Sequence, residues 1–243
     1  MPEQLWFTAL LNRLFAGPVT SLLAALHIPP QYPQAPISNA VAMELLVFLF
    51  LVVLFLLART RLSVDNPGAL QHIFEGARGF IVDQSHEIIG HPGGDFTAFL
   101  MSLGLFILGC NLLGLVPGLE SPTATPVVPL GCAICAFVYY QAQGFKHSGL
   151  GYLKHFLGPV WWLSWLMLPI EIISHLARVL SLTIRLFANM FAGDMVTLVF
   201  FSLVPLAIPV LFLGLHIGVA LLQTYIFILL TTVYLQGAVA EEH

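Results

Sequence analysis

Two apolar segments at the C-terminal end of the chain, residues 160–203 and 206–237, constrain its fold most. Each is longer than the roughly 20 apolar residues that a helix needs to cross a bilayer. Only 8% of the chain is charged, whereas a soluble domain carries about 25% charged residues. We therefore predict an all-α membrane protein that ends in two long helices, and we expect these helices to be tilted, kinked or extended beyond the bilayer.

Shorter segments complete the predicted topology. Three further apolar runs predict membrane crossings: residues 41–58, 96–116 and 127–143. Residues 67–91 instead place apolar side chains at helical spacing among polar ones, which predicts an amphipathic helix on the membrane surface. Residues 1–40 combine a moderately apolar stretch, broken at Gly17-Pro18, with a Pro-rich stretch. We interpret 1–40 as an N-terminal peripheral segment and 41–243 as a membrane domain with about five transmembrane helices.

The basic residues orient these five predicted spans. One side of the membrane would hold Arg59, Arg61, Arg78, Lys146 and Lys154, and the other would hold Arg13. Cytoplasmic loops carry the excess of Lys and Arg, so we expect the N-terminus outside and the C-terminus in the cytoplasm. The first residues lack a basic region followed by a cleavage site. These features predict a multi-pass protein of a bacterial inner membrane.

The last two spans contain polar residues that need a reason to be there. The fourth carries Glu171, His175, Arg178, Arg185, Asn189 and Asp194. An ionisable group in mid-membrane costs roughly 2.5–3.5 kcal/mol on insertion scales, and an ion path is the default explanation. Helical spacing puts all of them except Asp194 on one face, and Asp194 on the opposite face from Arg185. In the fifth span, His216 and Gln223 are seven residues apart and share a face.

An antiparallel pairing of these spans predicts an interrupted proton route. With Arg185 level with Gln223, Asp194 and His216 both lie roughly 10–14 Å toward the outside. Glu171 lies about 21 Å toward the cytoplasm, with His175 one turn deeper. Carboxyl and imidazole groups exchange protons near neutral pH when their environment tunes them, whereas arginine does not deprotonate. Arg185 would therefore block a proton and attract a carboxylate.

Several polar residues admit two interpretations. Arg178 could bridge to Glu171 or extend toward the cytoplasmic surface. Asn189 could belong to the route or form an inter-helix hydrogen bond. Glu44 and Asn111 could line the route or serve elsewhere. The Cys132/Cys135 pair has C-x-x-C spacing, but no second Cys/His pair accompanies it, so we interpret both as small apolar residues and predict neither a metal nor a cofactor.

The run LSLTIRLFANMFAGD at residues 180–194 resembles the signature of subunit a of F-type ATP synthases, S-L-x-x-R-L-x-x-N-M-x-A-G-[DE]. The segment 111–118, the residues His216 and Gln223, and Tyr234 ahead of the terminal Glu-Glu-His agree with the same family. The resemblance covers about residues 41–243.

The resemblance implies roles for individual residues. Arg185 would face a rotating ring of c subunits, and the two long C-terminal helices would form a hairpin against that ring. Asp194 and His216 would form the outer proton half-channel, to which we also assign Asn189 and Gln223, the latter beside the arginine.

On the cytoplasmic side, the resemblance implies a half-channel at Glu171 and Ser181, to which we add His175. Three departures from the family pattern stand out. His175 is titratable where no such group is expected, Asp194 replaces a commoner glutamate, and Gly114 stands where some relatives have an acid.

These implications predict a stator subunit of the proton-translocating membrane sector of an ATP synthase. The implied partners are the c-subunit ring, the b-subunit peripheral stalk, other ATP synthase subunits and lipid. The chain has no G-x-x-x-x-G-K-[ST] motif, so nucleotide chemistry would occur on other subunits. It has no basic cluster, so we expect no nucleic acid.

Two other functions are open to a chain with ionisable residues in its membrane helices. A stand-alone channel or secondary transporter would explain charges in the membrane, but not an arginine between two polar clusters, and the chain has no internal repeat of the kind found in many transporters. A structural subunit of a respiratory complex would carry fewer titratable groups at depth. A neighbouring two-helix proteolipid with one mid-membrane acid would favour the rotary function.

Overall fold

The described part of the chain is built from α-helices. The computed structural model describes residues 4–25, 27, 35–60, 62–63, 67–116, 118–149, 162, 164–203 and 207–239. Its helices are α1 Trp6–Ala25, α2 Asn39–Thr60, α3 Ala69–Ile89, α4 Thr97–Leu113, α5 Val127–Ser148, α6 Ser164–Leu203 and α7 Ala207–Val239. Short 3₁₀ turns cover His91–Phe96 and Pro122–Ala124. All of these helices except α3 are long and apolar enough to cross a membrane. The prediction of an all-α membrane protein with two long C-terminal helices is confirmed.

Helices α6 and α7 form an antiparallel hairpin. They contain 40 and 33 residues, which corresponds to about 60 and 50 Å, well beyond a hydrocarbon core of about 30 Å. Ring stacking of Phe200 on Phe212, with centroids 4.2 Å apart, holds the two helices together near the hairpin loop. Pro169 lies inside α6 and does not end it, whereas Pro205 lies outside the described residues.

Helices α4 and α5 pack against the hairpin and form the apolar core with it. Leu103 and Ile107 from α4, Ala133 from α5, Leu186 from α6 and Phe227 from α7 belong to one buried cluster. Glycines let the helices approach closely. A Cβ on Gly109 of α4 would lie 2.8 Å from the Val47 side chain of α2. Such contacts at small residues are typical of helix packing in membranes.

Helix α3 is the predicted amphipathic helix. Its apolar face packs through Ile81 and Ile89 against Leu100 of α4 and Leu235 of α7. Its polar Gln84 donates a hydrogen bond of 3.1 Å to the Tyr225 hydroxyl of α7. The existence of the helix agrees with the prediction, and its position at the membrane surface remains a prediction.

Helix α1 differs from the sequence-based expectation. The predicted break at Gly17-Pro18 is wrong, because one helix runs from Trp6 to Ala25 with Pro18 inside it. Nearby hydroxyls supply extra hydrogen bonds to the backbone, from Thr20 to the Ala16 carbonyl at 2.6 Å and from Ser21 to the Pro18 carbonyl at 2.8 Å.

The first half of α1 contacts the N-terminal end of α2. The Leu5 backbone N–H donates to Asn39 Oδ1 at 3.4 Å. The Asn12 side-chain amide pairs with both backbone groups of Ile37, at 3.0 and 3.1 Å. Leu113, at the C-terminal end of α4, packs against the small apolar cluster that α1 and α2 form here. The start of α1 is therefore on the side of the molecule where α2 begins and α4 ends.

Candidate functional site

Arg185 lies near the middle of α6, on the side that faces away from the core. Its neighbours Leu182 and Leu186 are buried, while Ile184 is exposed. The guanidinium Nη2 donates to Ser181 Oγ at 3.4 Å. Within the described ranges, no carboxylate lies within 4 Å of it. An arginine in this setting can accept an anionic partner that approaches from outside the hairpin.

Asn189 and Gln223 join the two helices one turn above Arg185. Asn189 Nδ2 donates to Gln223 Oε1 at 2.6 Å, and Gln223 is buried. The predicted alignment of Gln223 with Arg185 is therefore wrong by one helical turn. Two other contacts between the helices have the same register as the Asn189–Gln223 pair. They are the ring stacking near the hairpin loop and the contact between Arg178 and Tyr234. Of the two interpretations of Asn189, the inter-helix hydrogen bond is the one the structure contains.

Asp194 and His216 meet near the hairpin loop. His216 Nε2 lies 3.7 Å from Asp194 Oδ1, which is within ion-pair range and beyond hydrogen-bond range. His216 is only 4% exposed. It fits against α6 because residue 193 is glycine, where a Cβ would lie 3.2 Å from the imidazole. The structure thus brings together the two residues that the sequence assigned to the outer end of the route.

A cavity of about 600 Å³ opens beside this pair. It is bounded by α6, by α7 and by the segment that follows α4. Its lining includes Gly114, Glu120, Ser121, Asp194, Thr197 and His216. The cavity gives the acid and the imidazole a common polar space at one end of the hairpin.

A second chain of polar contacts lies toward the other end of α6. His175 Nε2 is 3.3 Å from Glu171 Oε1, and His175 Nδ1 is 3.1 Å from the Tyr140 hydroxyl. Tyr140 and His175 are both buried, whereas Glu171 is partly exposed. The carboxylate can only accept a hydrogen bond, so with neutral His175 the Nε2 atom carries the hydrogen and Nδ1 accepts from Tyr140. The contacts form a continuous path from a buried hydroxyl to a partly exposed acid.

Known proteins resemble this chain over almost its whole length. A family model described as ATP synthase A chain matches residues 41–236. The ATP synthase subunit a of Koribacter versatilis is 59% identical, and the match covers all of both chains. The chain belongs to the ATP synthase subunit a family. The subunit a of Solibacter usitatus is 52% identical over 96% of this chain and 99% of the relative. The subunit a of Trichlorobacter lovleyi is 40% identical over 85% and 89%.

In this subunit a family member, Arg178 makes a contact that the sequence did not predict. Its Cζ atom lies 5.2 Å from the centroid of the Tyr234 ring, which is a cation–π distance. Glu171, the predicted ion-pair partner, contacts His175 instead. The Tyr234 ring therefore contacts the Arg178 guanidinium, and Glu171, seven residues earlier in α6, does not.

Asn111 belongs to a buried hydrogen-bond network next to the cavity beside Asp194 and His216. Its amide donates to Thr224 Oγ1 at 3.2 Å, and its carbonyl accepts from Thr123 at 2.7 Å. The Ser121 hydroxyl extends this network: it lies 2.8 Å from Thr123 Oγ1 and 3.1 Å from the Cys110 carbonyl oxygen, and it can donate its single hydrogen to either. The network fixes the segment after α4 to α4 and α7.

Sequence reasoning missed two residues of this subunit a site. Glu120 lies outside every predicted span, and only its position two residues before Pro122 in a short loop could have indicated a place near the membrane surface. Tyr140 lies inside the predicted span 127–143, and the signal that could have singled it out is that a buried tyrosine hydroxyl usually has a hydrogen-bond partner.

The cysteines do not form a site among the described residues. Cys132 is buried and Cys135 is exposed, and both are free thiols. Over the same ranges, no three His, Cys, Asp or Glu side chains are arranged to hold a metal ion.

Proposed function

We propose that this chain is the stator subunit of the proton-translocating membrane sector of an ATP synthase. The two relatives of highest identity described above are named ATP synthase subunit a, and the matches cover almost their full length. The observation that carries the proposal is one outward-facing arginine between two separate titratable clusters. Other subunits of the ATP synthase are then its partners, among them the c-subunit ring and the b-subunit stalk.

The two clusters would serve as offset half-channels. Asp194 and His216 belong to the outer one, and Glu171 and His175 to the cytoplasmic one. Asp194 and Glu171 are separated by about 35 Å along α6. Direct transfer over that distance requires a carrier, and Arg185 in between cannot release a proton.

The surface around Arg185 suits a closely packed partner. Several exposed residues near it on α6 are small, although larger ones such as Ile184 are exposed beside them: Ala177, Ser181, Ala188 and Ala192. Small residues allow another membrane helix to approach closely. A carboxylate on such a helix would find in Arg185 a guanidinium with no acidic partner among the described residues, and a bidentate pair would be favoured.

Rotation follows from the protonation state of the partner's carboxylate. A proton that arrives through Asp194 and His216 neutralises this carboxylate, which can then leave Arg185 and face lipid at a much smaller desolvation cost. The ring turns until the carboxyl reaches the path at Glu171 and His175 and releases its proton. The anion is then attracted to Arg185. The electrical part of the driving force supplies about 2.3 kcal/mol per charge per 100 mV.

The decisive experiment replaces the barrier charge. Membrane vesicles with the assembled complex are compared for ATP-driven proton pumping and passive proton leak, in the parent and in Arg185→Ala. We expect the variant to lose pumping and to keep or increase the leak. The substitution removes the positive charge that both blocks protons and attracts the carboxylate of the ring. Arg59→Ala, at the exposed end of α2, is the matched control. Undiminished pumping by Arg185→Ala would favour a channel or a structural subunit instead.

A further inference from the structure

We infer that Glu120 is the outermost proton-accepting group of this chain, which collects protons from the outer water for Asp194 and His216. The inference rests on the proposed function and extends it to a residue outside the helices. Glu120 is exposed and lines the same cavity of about 600 Å³ as Asp194 and His216.

The fold holds Glu120 at this cavity through its neighbour in sequence. Ser121 is buried, and its hydroxyl lies within hydrogen-bond distance of the Cys110 carbonyl and of Thr123, which donates to Asn111. These contacts fold the segment after α4 back over the end of that helix. Glu120 precedes the anchored serine and therefore has little freedom to leave the cavity.

Gly114 explains why the acid is carried by the segment and not by α4. A Cβ at position 114 would lie 2.8 Å from Ser121 Cβ and 3.2 Å from the Ser121 backbone nitrogen. Ser121 therefore occupies the space that a side chain at position 114 would need. The returning segment excludes an acid at 114 and supplies one at 120.

An independent observation indicates that the cavity receives protons. His216 is buried and lines the cavity, yet its Nε2 atom has no hydrogen-bond partner among the described residues. A buried polar atom of this kind is costly unless it serves a function. An imidazole nitrogen that lies 3.7 Å from the Asp194 carboxylate, in a cavity that Glu120 also lines, is suited to accept and return a proton.

The proposed step leaves the chain chemically unchanged. A proton from outer water binds to the Glu120 carboxylate and gives the neutral acid. The proton then passes to Asp194 or to His216, and Glu120 returns to the carboxylate. During ATP-driven pumping the same steps run in reverse.

The test measures proton-driven ATP synthesis at a series of outer pH values with a fixed inner pH. Glu120→Gln should lower the rate about three- to tenfold at neutral and alkaline outer pH, because a carboxylate at the entrance raises the local proton supply. The deficit should shrink at acidic outer pH, where protons are abundant. Glu120→Asp should retain most of the rate. Asp95→Asn, which removes an exposed acid at the opposite end of α4, is the matched control and should match the parent.

A chemical rescue separates loss of the carboxyl from misfolding. Glu120→Cys treated with iodoacetate regains a carboxylate, and the same variant treated with iodoacetamide gains a neutral amide of nearly equal size. We expect the rate to recover only with iodoacetate, with the parent treated in parallel to account for Cys135. Equal rates for Glu120→Gln and the parent at every outer pH, or equal effects of the two reagents, would overturn the inference. Arg185→Ala in the same assay tests the proposed function separately, because its effect does not depend on Glu120.

Discussion

At the scale of single residues, the arginines of α6 show how charge is accommodated in a membrane helix. Arg178 lies over the Tyr234 ring, whereas Arg185 makes, among the described residues, a single long hydrogen bond to Ser181. The first is balanced within its own chain. The second lacks an acidic partner among the described residues, so its charge is available for another subunit. This difference, and not the mere presence of a charge, distinguishes the residue proposed to act on the ring.

Tyr140 is expected to position His175. Tyr140→Phe removes the hydroxyl that donates to Nδ1, so that Glu171 alone favours the tautomer with hydrogen on Nε2. We expect ATP-driven pumping to fall about three- to tenfold, since a misdirected proton relay loses part of its efficiency. The inner pH dependence of pumping should shift, which a purely structural role of Tyr140 would not cause.

The neighbouring residue gives the control for this prediction. Tyr139 stacks on Phe99, with ring centroids 3.7 Å apart, and lies outside the Glu171 chain of contacts. Tyr139→Phe should keep the parent's pH profile. If both variants behave alike, Tyr140 has no special role in proton release.

At the scale of helices, glycines and the hairpin register determine which side chains meet. The register of α6 and α7 puts Asn189 level with Gln223 and lets Asp194 reach His216. A shift by one turn would separate both pairs by about 5 Å. Gly193 contributes to the same pairing because its missing side chain leaves room for the imidazole.

Gly109 is expected to set the distance between α2 and α4. In Gly109→Ala the new methyl would lie 2.8 Å from Val47 Cγ1, and valine has little rotamer freedom to move away. We expect a loss of about 1–3 kcal/mol in unfolding free energy, which is typical of overpacking. Thermal unfolding of the purified complex in detergent measures it. Gly131→Ala, where a Cβ meets nothing within 4 Å, should leave stability equal or higher; equal losses in the two variants would contradict this explanation.

At the scale of the whole molecule, the placement of α1 decides the topology. Its length and composition permit a sixth crossing, yet its contacts join Leu5 and Asn12 to the beginning of α2. A helix that crossed antiparallel to α2 would bring its first residues to the opposite end. We therefore propose that α1 lies across the outer ends of α2 and α4, with the N-terminus outside the bacterial inner membrane and the C-terminus in the cytoplasm.

A thiol introduced at the start of the chain tests this topology. Gln4→Cys should react with a membrane-impermeant maleimide in right-side-out vesicles, since the peripheral placement exposes residue 4 to the outer water. The parent, in which Cys110 and Cys132 are buried and Cys135 is exposed, accounts for background labelling. Labelling confined to inverted vesicles would mean that α1 crosses the membrane.

Sequence patterns were informative wherever the physical cause is local. Apolar length and helical spacing were sufficient to predict α2 to α7, and the runs at 160–203 and 206–237 correspond closely to α6 and α7. The prediction of a helix break at Pro18 was wrong. The cost of proline in a helix depends on which groups surround the backbone carbonyl that loses its N–H partner. Asp194 and His216 could be paired from their distances along the two helices, and the pairing tolerated an alignment error of one turn.

The sequence by itself determined that lipid surrounds most of this protein, where its helices lie and which residues are able to hold or refuse a proton. These properties depend on composition and on spacing along one helix. Only the tertiary structure decided the hairpin register, the contact of Tyr140 with His175 and the return of Glu120 to the outer cavity. These depend on side chains far apart in the chain, such as Ser121 over Gly114 and His216 over Gly193. The space available at such contacts is a property of the packed helices, and no local pattern encodes it.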